Sequence, residues 1–185
     1  MRSEYDVIVA GGGVAGLSAA IFLGRAGVSA AVFDRAESSL RRVSRVNNYP
    51  GYPDGVGGSA LLDLCLQHAR RFGARIIDER IQEVCLSPPG FTVRAGADEA
   101  WCRFFLLASN KRTDLAQSLG LALVGFGAKF VGVDERGETV VPACYAAGRI
   151  TGLPSQAVVS AGSGARVAIA IIERMRGAYY VDHDV

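Results

Sequence analysis

An apolar run from Tyr5 to Ala10, broken only by Asp6, leads straight into Gly11-Gly12-Gly13-Val14-Ala15-Gly16. No other feature constrains the fold as much. The run reads as a buried strand and Val14 to about Ala26 as a helix stopped by Gly27, so the glycines form a strand-to-helix turn. Ser29 to Phe33 then reads as a second strand, closed by Asp34. In such a unit Gly11 permits the tight turn, Gly13 lets phosphates approach the backbone, and Gly16 lets helix and strand pack closely. The first N–H groups of the helix, at Val14 and Ala15, are available to an anion. Asp34 falls about 20 residues on, where a dinucleotide-binding unit places the acid that accepts ribose hydroxyls. These residues alone are compatible with FAD, with NAD or with an unliganded turn.

With 185 residues, half of them apolar, the chain is expected to form one domain, 1–185, able to bury a substantial core. No stretch approaches the roughly 18–20 apolar residues that a bilayer span demands. Val14 to Leu23 is short and ends at Gly24-Arg25, and Glu4 and Asp6 stand where a signal peptide would be basic. A cytoplasmic chain with no membrane attachment is the expectation. The balance of 20 basic and 18 acidic residues argues against nucleic acid as a partner. Arg35, Arg41, Arg42 and Arg45 cluster in what reads as an exposed loop.

The four cysteines, 65, 85, 102 and 144, contain no Cys-x-x-Cys, which excludes a zinc knuckle or a vicinal redox pair. Their apolar neighbours suggest reduced core thiols. A pair brought together by folding, Cys85 with Cys102, is the one alternative. His68 lies at helical spacing with Leu61, Leu64, Cys65 and Phe72, and is expected to be a core or boundary residue of a helix from Ser59 to Phe72. Asp182-His183-Asp184 is expected to be a solvated tail rather than a metal site.

Downstream, Arg75–Ile77, Ile81–Leu86, Phe91–Ala95 and Trp101–Ala108 read as strands separated by turn residues. Further strands are expected near Lys129–Val133 and Thr139–Val141, a buried one at Ala143–Ala147, and a last helix from Gln156 to Arg176. The expected fold class is α/β: a Rossmann-like domain with a central parallel sheet, crossed by a three-strand antiparallel meander.

Three segments resemble one family. Asp6 to Ala20 looks like the FAD-binding opening of the thioredoxin reductase group, in the pyridine nucleotide-disulfide oxidoreductase superfamily. Val46-Asn47-Asn48-Tyr49-Pro50-Gly51 is similar to the family's Val-Glu-Asn-Trp-Pro-Gly, and the resemblance places Asn48 by the flavin ring. Tyr145-Ala146-Ala147-Gly148, with Ser155-Gln156-Ala157 and Ser160 to Gly164, resembles the closing FAD motif. FAD is the cofactor this implies, with Gly11, Gly13, Val14, Ala15, Gly16, Asp34 and Arg35 on one side. Asn48, Ala108, Gly148, Arg149, Gln156 and Ala157 complete the implied set. The last helix would present its N–H groups near Gln156 and Ala157 to the flavin N1/C2 edge.

The middle of the chain departs from the family. Leu106-Leu107-Ala108-Ser109-Asn110 stands where the family leaves for an inserted NADPH domain, yet it passes almost directly to the closing segment. Asn110 replaces a glycine, and Arg149 replaces an aspartate that accepts a ribityl hydrogen bond. The resemblance therefore implies a short form without the NADPH domain or its dithiol. It would be a small FAD-dependent oxidoreductase, forming a homodimer, with donor and acceptor outside the chain. The competing expectation is a non-catalytic, degenerate domain that binds a dinucleotide or regulates a complex. No side chain stands out as an acid, base or nucleophile.

Overall fold

The computed structural model describes residues 3–182, so His183 and Asp184 of the expected solvated tail lie outside the described residues. Strand β1 (Ser3–Ala10) is followed by helix α1 (Val14–Arg25) and strand β2 (Ala30–Phe33). A 3-10 turn (Ser39–Arg42) precedes helix α2 (Gly58–Arg71). Four strands follow: β3 (Arg75–Ile77), β4 (Ile81–Ser87), β5 (Gly90–Ala95) and β6 (Asp98–Leu107). Helix α3 (Asp114–Ser118), strands β7 (Leu123–Val124), β8 (Phe130–Val131) and β9 (Cys144–Ala146), and helix α4 (Ala157–Arg176) complete the chain.

The main sheet runs β3-β2-β1-β6-β5-β4, with β9 also paired to β6, and β7 and β8 form a small separate sheet. Strands β3, β2, β1, β6 and β9 are mutually parallel, and β6-β5-β4 is an antiparallel meander. The length of β6 explains how both arrangements coexist. Its first half, Asp98–Cys102, pairs with β5, while Phe105–Leu107 pairs with β9 on the same edge. All four residues of β2 are buried, as expected of a parallel strand covered on both faces.

On one face of the sheet, Val7, Val9, Val32, Phe104 and Leu106 pack against Leu17, Leu23, Leu62, Val167 and Ile171 of the helices. On the other, Ile8, Ala31, Phe33, Phe105 and Leu107 meet Val84, Phe91 and Val93 of the meander, with Leu115 of α3. The meander thus forms a second layer while sharing β6 with the main sheet.

Three expectations are corrected. His68 is exposed and stacks on Phe72, 5.1 Å between ring centroids, because α2 buries Leu61, Leu62 and Ala69 instead. Thr139–Val141 is not a strand: Thr139 Oγ1 accepts from the Val141 N–H at 3.1 Å, closing a local turn, and β8 pairs with β7. Cys85 is exposed on the edge strand β4, although Cys102 and Cys144 are buried. Cys85 and Cys102 do not face each other, since β5 lies between them, with Thr92 beside Cys85 and Phe91 beside Cys102.

Candidate functional site

A cleft of about 370 Å³ opens where β1, β2 and β6 end, with Ala10, Phe33, Asp34 and Ala108 among its walls. The turn between β1 and α1 forms one side. Gly11 takes φ 115° and its N–H donates to the Phe33 carbonyl at 2.9 Å. A Cβ on Gly11 would lie 2.5 Å from the Ala108 carbonyl oxygen, and one on Gly16 would lie 2.0 Å from that of Gly11. Packing within the chain therefore requires both glycines.

Gly13 is different. Its φ is −73°, and the nearest atom to a Cβ there is Ser38 Oγ at 3.7 Å. Nothing in the chain forbids a side chain at Gly13. A Cβ would instead project into the cleft that Gly13 lines, over backbone N–H groups a ligand phosphate must approach. This gap fits a dinucleotide diphosphate.

Two helices point their N-termini at the same space. Gly13, Val14 and Ala15 line the cleft from α1, and Gln156, Ala157 and Ser160 line it from α4. Neither helix has a side-chain cap or an acidic residue in its first turn. Each end thus keeps free N–H groups and a partial positive charge of about half a unit. Small residues bring the two ends together. A Cβ on Gly164 would lie 2.0 Å from the Ala15 carbonyl oxygen, and one on Gly148 would lie 2.8 Å from Ala15 Cβ. Ser18 Oγ donates to the Ala161 carbonyl at 2.8 Å, and Ser163 Oγ accepts from the Gly148 N–H at 3.0 Å.

Asp34 Oδ2 accepts from the Ala36 N–H at 2.9 Å, which fixes the carboxylate and leaves Oδ1 without a partner among the described residues. Glu37 and Arg80 pair with each other on the cleft wall, and Arg112 pairs with Asp114. Discounting those pairs, Arg35, Lys111 and Arg149 face one carboxylate, Asp34. The excess is two positive charges, which matches the roughly two negative charges of a diphosphate. Asn110, in the position of the family glycine, takes φ 60°, and asparagine is among the few side chains that tolerate this region. The substitution keeps the turn.

Of the residues singled out from the sequence, Gly11, Gly13, Val14, Ala15, Asp34 and Arg35 line the cleft. So do Ala108, Arg149, Gln156 and Ala157. Gly16 and Gly148 sit behind it as packing contacts, and Asn48 stands at its edge through a hydrogen bond to Gln156. Sequence reasoning missed Ser38, Arg80 and Lys111, which come from turns with no motif of their own. None of the four cysteines lines the cleft. Burial pushes the Cys144 thiol up to about 12, which keeps it protonated and unreactive.

The sheet order, the glycine turn and the cleft at the strand ends define a dinucleotide-binding fold. Residues 4–46 match the family described as FAD binding domain, so FAD is the cofactor class. The chain is 35% identical over 132 residues to the thioredoxin reductase of Mycolicibacterium smegmatis, covering 68% of this chain and 42% of that one. It is 33% identical over 107 residues to the Bacillus subtilis (strain 168) enzyme, covering 57% and 34%. A thioredoxin reductase structure from Gloeobacter violaceus superposes with a TM-score of 0.91 at 18% identity, over 100% of each chain. The atypical thioredoxin reductase TRi from Desulfovibrio vulgaris Hildenborough gives 0.83 at 19%, over 96% and 99%. Over these stretches the chain is similar to thioredoxin reductases, and its first strand-helix-strand unit matches an FAD binding domain. It spans less than half the length of the curated relatives it matches. Between β6 and β9, residues 108–143 hold α3, β7, β8 and loops, with no second nucleotide-binding unit among the described residues.

Proposed function

We propose that the chain is a small FAD flavoprotein that passes electrons between a donor and an acceptor outside it. The observation that carries this reading is the gap at Gly13, which packing does not require and a phosphate would fill. Asp34 Oδ1 holds the adenosine ribose hydroxyls. The N–H groups of Val14 and Ala15 hold the diphosphate. Bound FAD supplies the redox chemistry, exchanging electrons at its N5. The N-terminus of α4 favours negative charge beside Gln156 and Ala157, which assists reduction of a bound flavin. Asn48 holds the Gln156 side chain at that end of the cleft. Anaerobic titration tests redox competence: dithionite should bleach the bound flavin fully and an added acceptor should restore its colour. Flavin that bleaches but is reoxidised by no acceptor counts against electron transfer.

A second reading is a non-catalytic holder of FAD. It draws support from the position of the cysteines, none of which reaches the cleft to relay electrons as a thiol pair. The acceptor test separates the two.

We further propose a homodimer in the cytoplasm. Phe126 is 94% exposed and Val140 85%, which offers apolar surface to a partner copy. The exposed free thiol of Cys85 suits a reducing compartment. Light scattering at the mass of one 19.5 kDa chain at micromolar concentration would rule the dimer out.

A further inference from the structure

We propose that Arg149 anchors the diphosphate of the cofactor and makes the cleft select ligands by that group. The inference rests on the FAD reading and assigns a role to a residue where the family pattern has a hydrogen-bond acceptor. Arg149 lies in the 3-10 turn Gly148–Thr151 that follows β9, and its Nη1 donates to Ser155 Oγ at 2.8 Å. Both residues line the cleft beside the N-termini of α1 and α4.

Arg149 differs from the chain's carboxylate-paired arginines, and of the unpaired cleft cations it is the one held by a hydroxyl beside both helix ends. Arg80, Arg94, Arg112, Arg136 and Arg174 each form an ion pair with a carboxylate. Arg149 forms none among the described residues. A guanidinium has five N–H donors and accepts nothing, so it cannot stand in for an aspartate toward a hydroxyl's proton. Beyond the bond to Ser155, Nε and Nη2 have no partner among the described residues. Two uncapped helix ends and this cation converge on one space, and Asp34 is the one lining carboxylate there, among the described residues, that is not already in an ion pair. One full and two partial positive charges held together are costly in isolation and favourable around an anion. A planar fork fixed at one nitrogen by a hydroxyl is preorganised for phosphate oxygens.

Adenine and the oxidised flavin ring are neutral, so the contact is to the phosphates. The cleft should then bind ADP by itself, bind FAD through the same contact, and bind riboflavin poorly. Affinity should also weaken as salt rises, since the anchoring term is Coulombic.

The test is calorimetric titration of the full chain with ADP and with FAD, at low and high salt, for wild type, Arg149→Gln and Arg149→Lys. Arg149→Gln should weaken both ligands by a similar factor, about 10–100-fold, and flatten the salt dependence. Arg149→Lys should restore part of the affinity, and the reduction potential of bound flavin should not move. If Arg149→Gln does not fold, Ser155→Ala should weaken both ligands by a smaller common factor. Unchanged ADP binding, or loss for FAD alone with a shifted potential, would overturn the anchor. If wild type binds ADP in an Arg149-dependent way but takes up no flavin, the anchor stands and the FAD reading fails. If wild type binds FAD while Arg149→Gln binds ADP normally, the anchor fails and the FAD reading stands.

Discussion

Asn48 Nδ2 donates to Gln156 Oε1 at 2.9 Å, joining two segments that lie 108 positions apart in the chain. The bond ties the irregular loop before α2 to the N-cap residue of α4, which lines the cleft. Both partners are exposed, so the bond contributes modestly to stability, about 0.5–1.5 kcal/mol at most. Its value is in orienting Gln156 at a helix end that no side chain caps.

Two glycines should respond in opposite ways to substitution. Gly13→Val should leave the melting temperature near that of wild type and abolish flavin uptake, because its side chain enters the cleft and not the core. Gly164→Ala should destabilise the fold by about 1–3 kcal/mol, since the added carbon meets the Ala15 backbone at 2.0 Å. Thermal melts with flavin quantified on each variant check the contrast. A Gly13→Val protein with full flavin content would falsify the assignment of the turn.

Asp34→Ala removes a charged acceptor from the ribose hydroxyls, and the affinity for FAD should fall about tenfold or more. Loss of the bond to the Ala36 N–H adds to this by loosening the loop. Fluorescence titration measures it. An affinity within twofold of wild type would place the adenosine elsewhere.

The opening unit was legible because each of its features has a backbone cause. Gly11 and Gly16 are required by contacts closer than any side chain permits, so the sequence pattern and the fold agree on them. Asp34 follows from the length of helix and second strand. Helix α2 shows where periodicity runs out. Leu61, Leu64, Cys65 and His68 fit a helical stripe, but the buried face turns toward Leu62 and Ala69, leaving Leu64 46% exposed. Ala69 is too small to signal a buried face against a neighbouring leucine. Arg80 and Lys111 were illegible for another reason. They sit in turns whose approach to the cleft depends on how the meander stacks, which no local pattern encodes.

Alkaline pH should weaken the fold partly through Cys144. Its thiol is raised by burial to about 12, against about 8.5 for an unfolded cysteine. Below that unfolded value both states hold the proton and this contribution is intact. As pH rises toward 12 the unfolded chain releases the proton first, and stability is lost. Burial raises Tyr145 as well, so it acts in the same direction. Denaturant titrations between about pH 8 and 11 should show a shallower loss for Cys144→Ala than for wild type. Equal slopes would remove Cys144 from the account. Thiol labelling at neutral pH should reach Cys85 well before Cys102 or Cys144.

NADPH should reduce the bound flavin slowly at best, and the chain should not turn over an oxidised thioredoxin by itself. Residues 108–143 leave no room for a nicotinamide-binding unit, and β5 separates the one distant cysteine pair. Anaerobic stopped-flow with NADPH, followed by thioredoxin, decides this. Rapid saturable bleaching together with thioredoxin turnover would contradict it.

The central claim is that the cleft between the two uncapped helix ends holds FAD. The most direct measurement is the absorption spectrum of the wild-type chain after incubation with excess FAD and gel filtration. A flavin band at about 450 nm should follow the protein peak, at about one flavin per chain. A folded protein peak that carries no flavin band would contradict it.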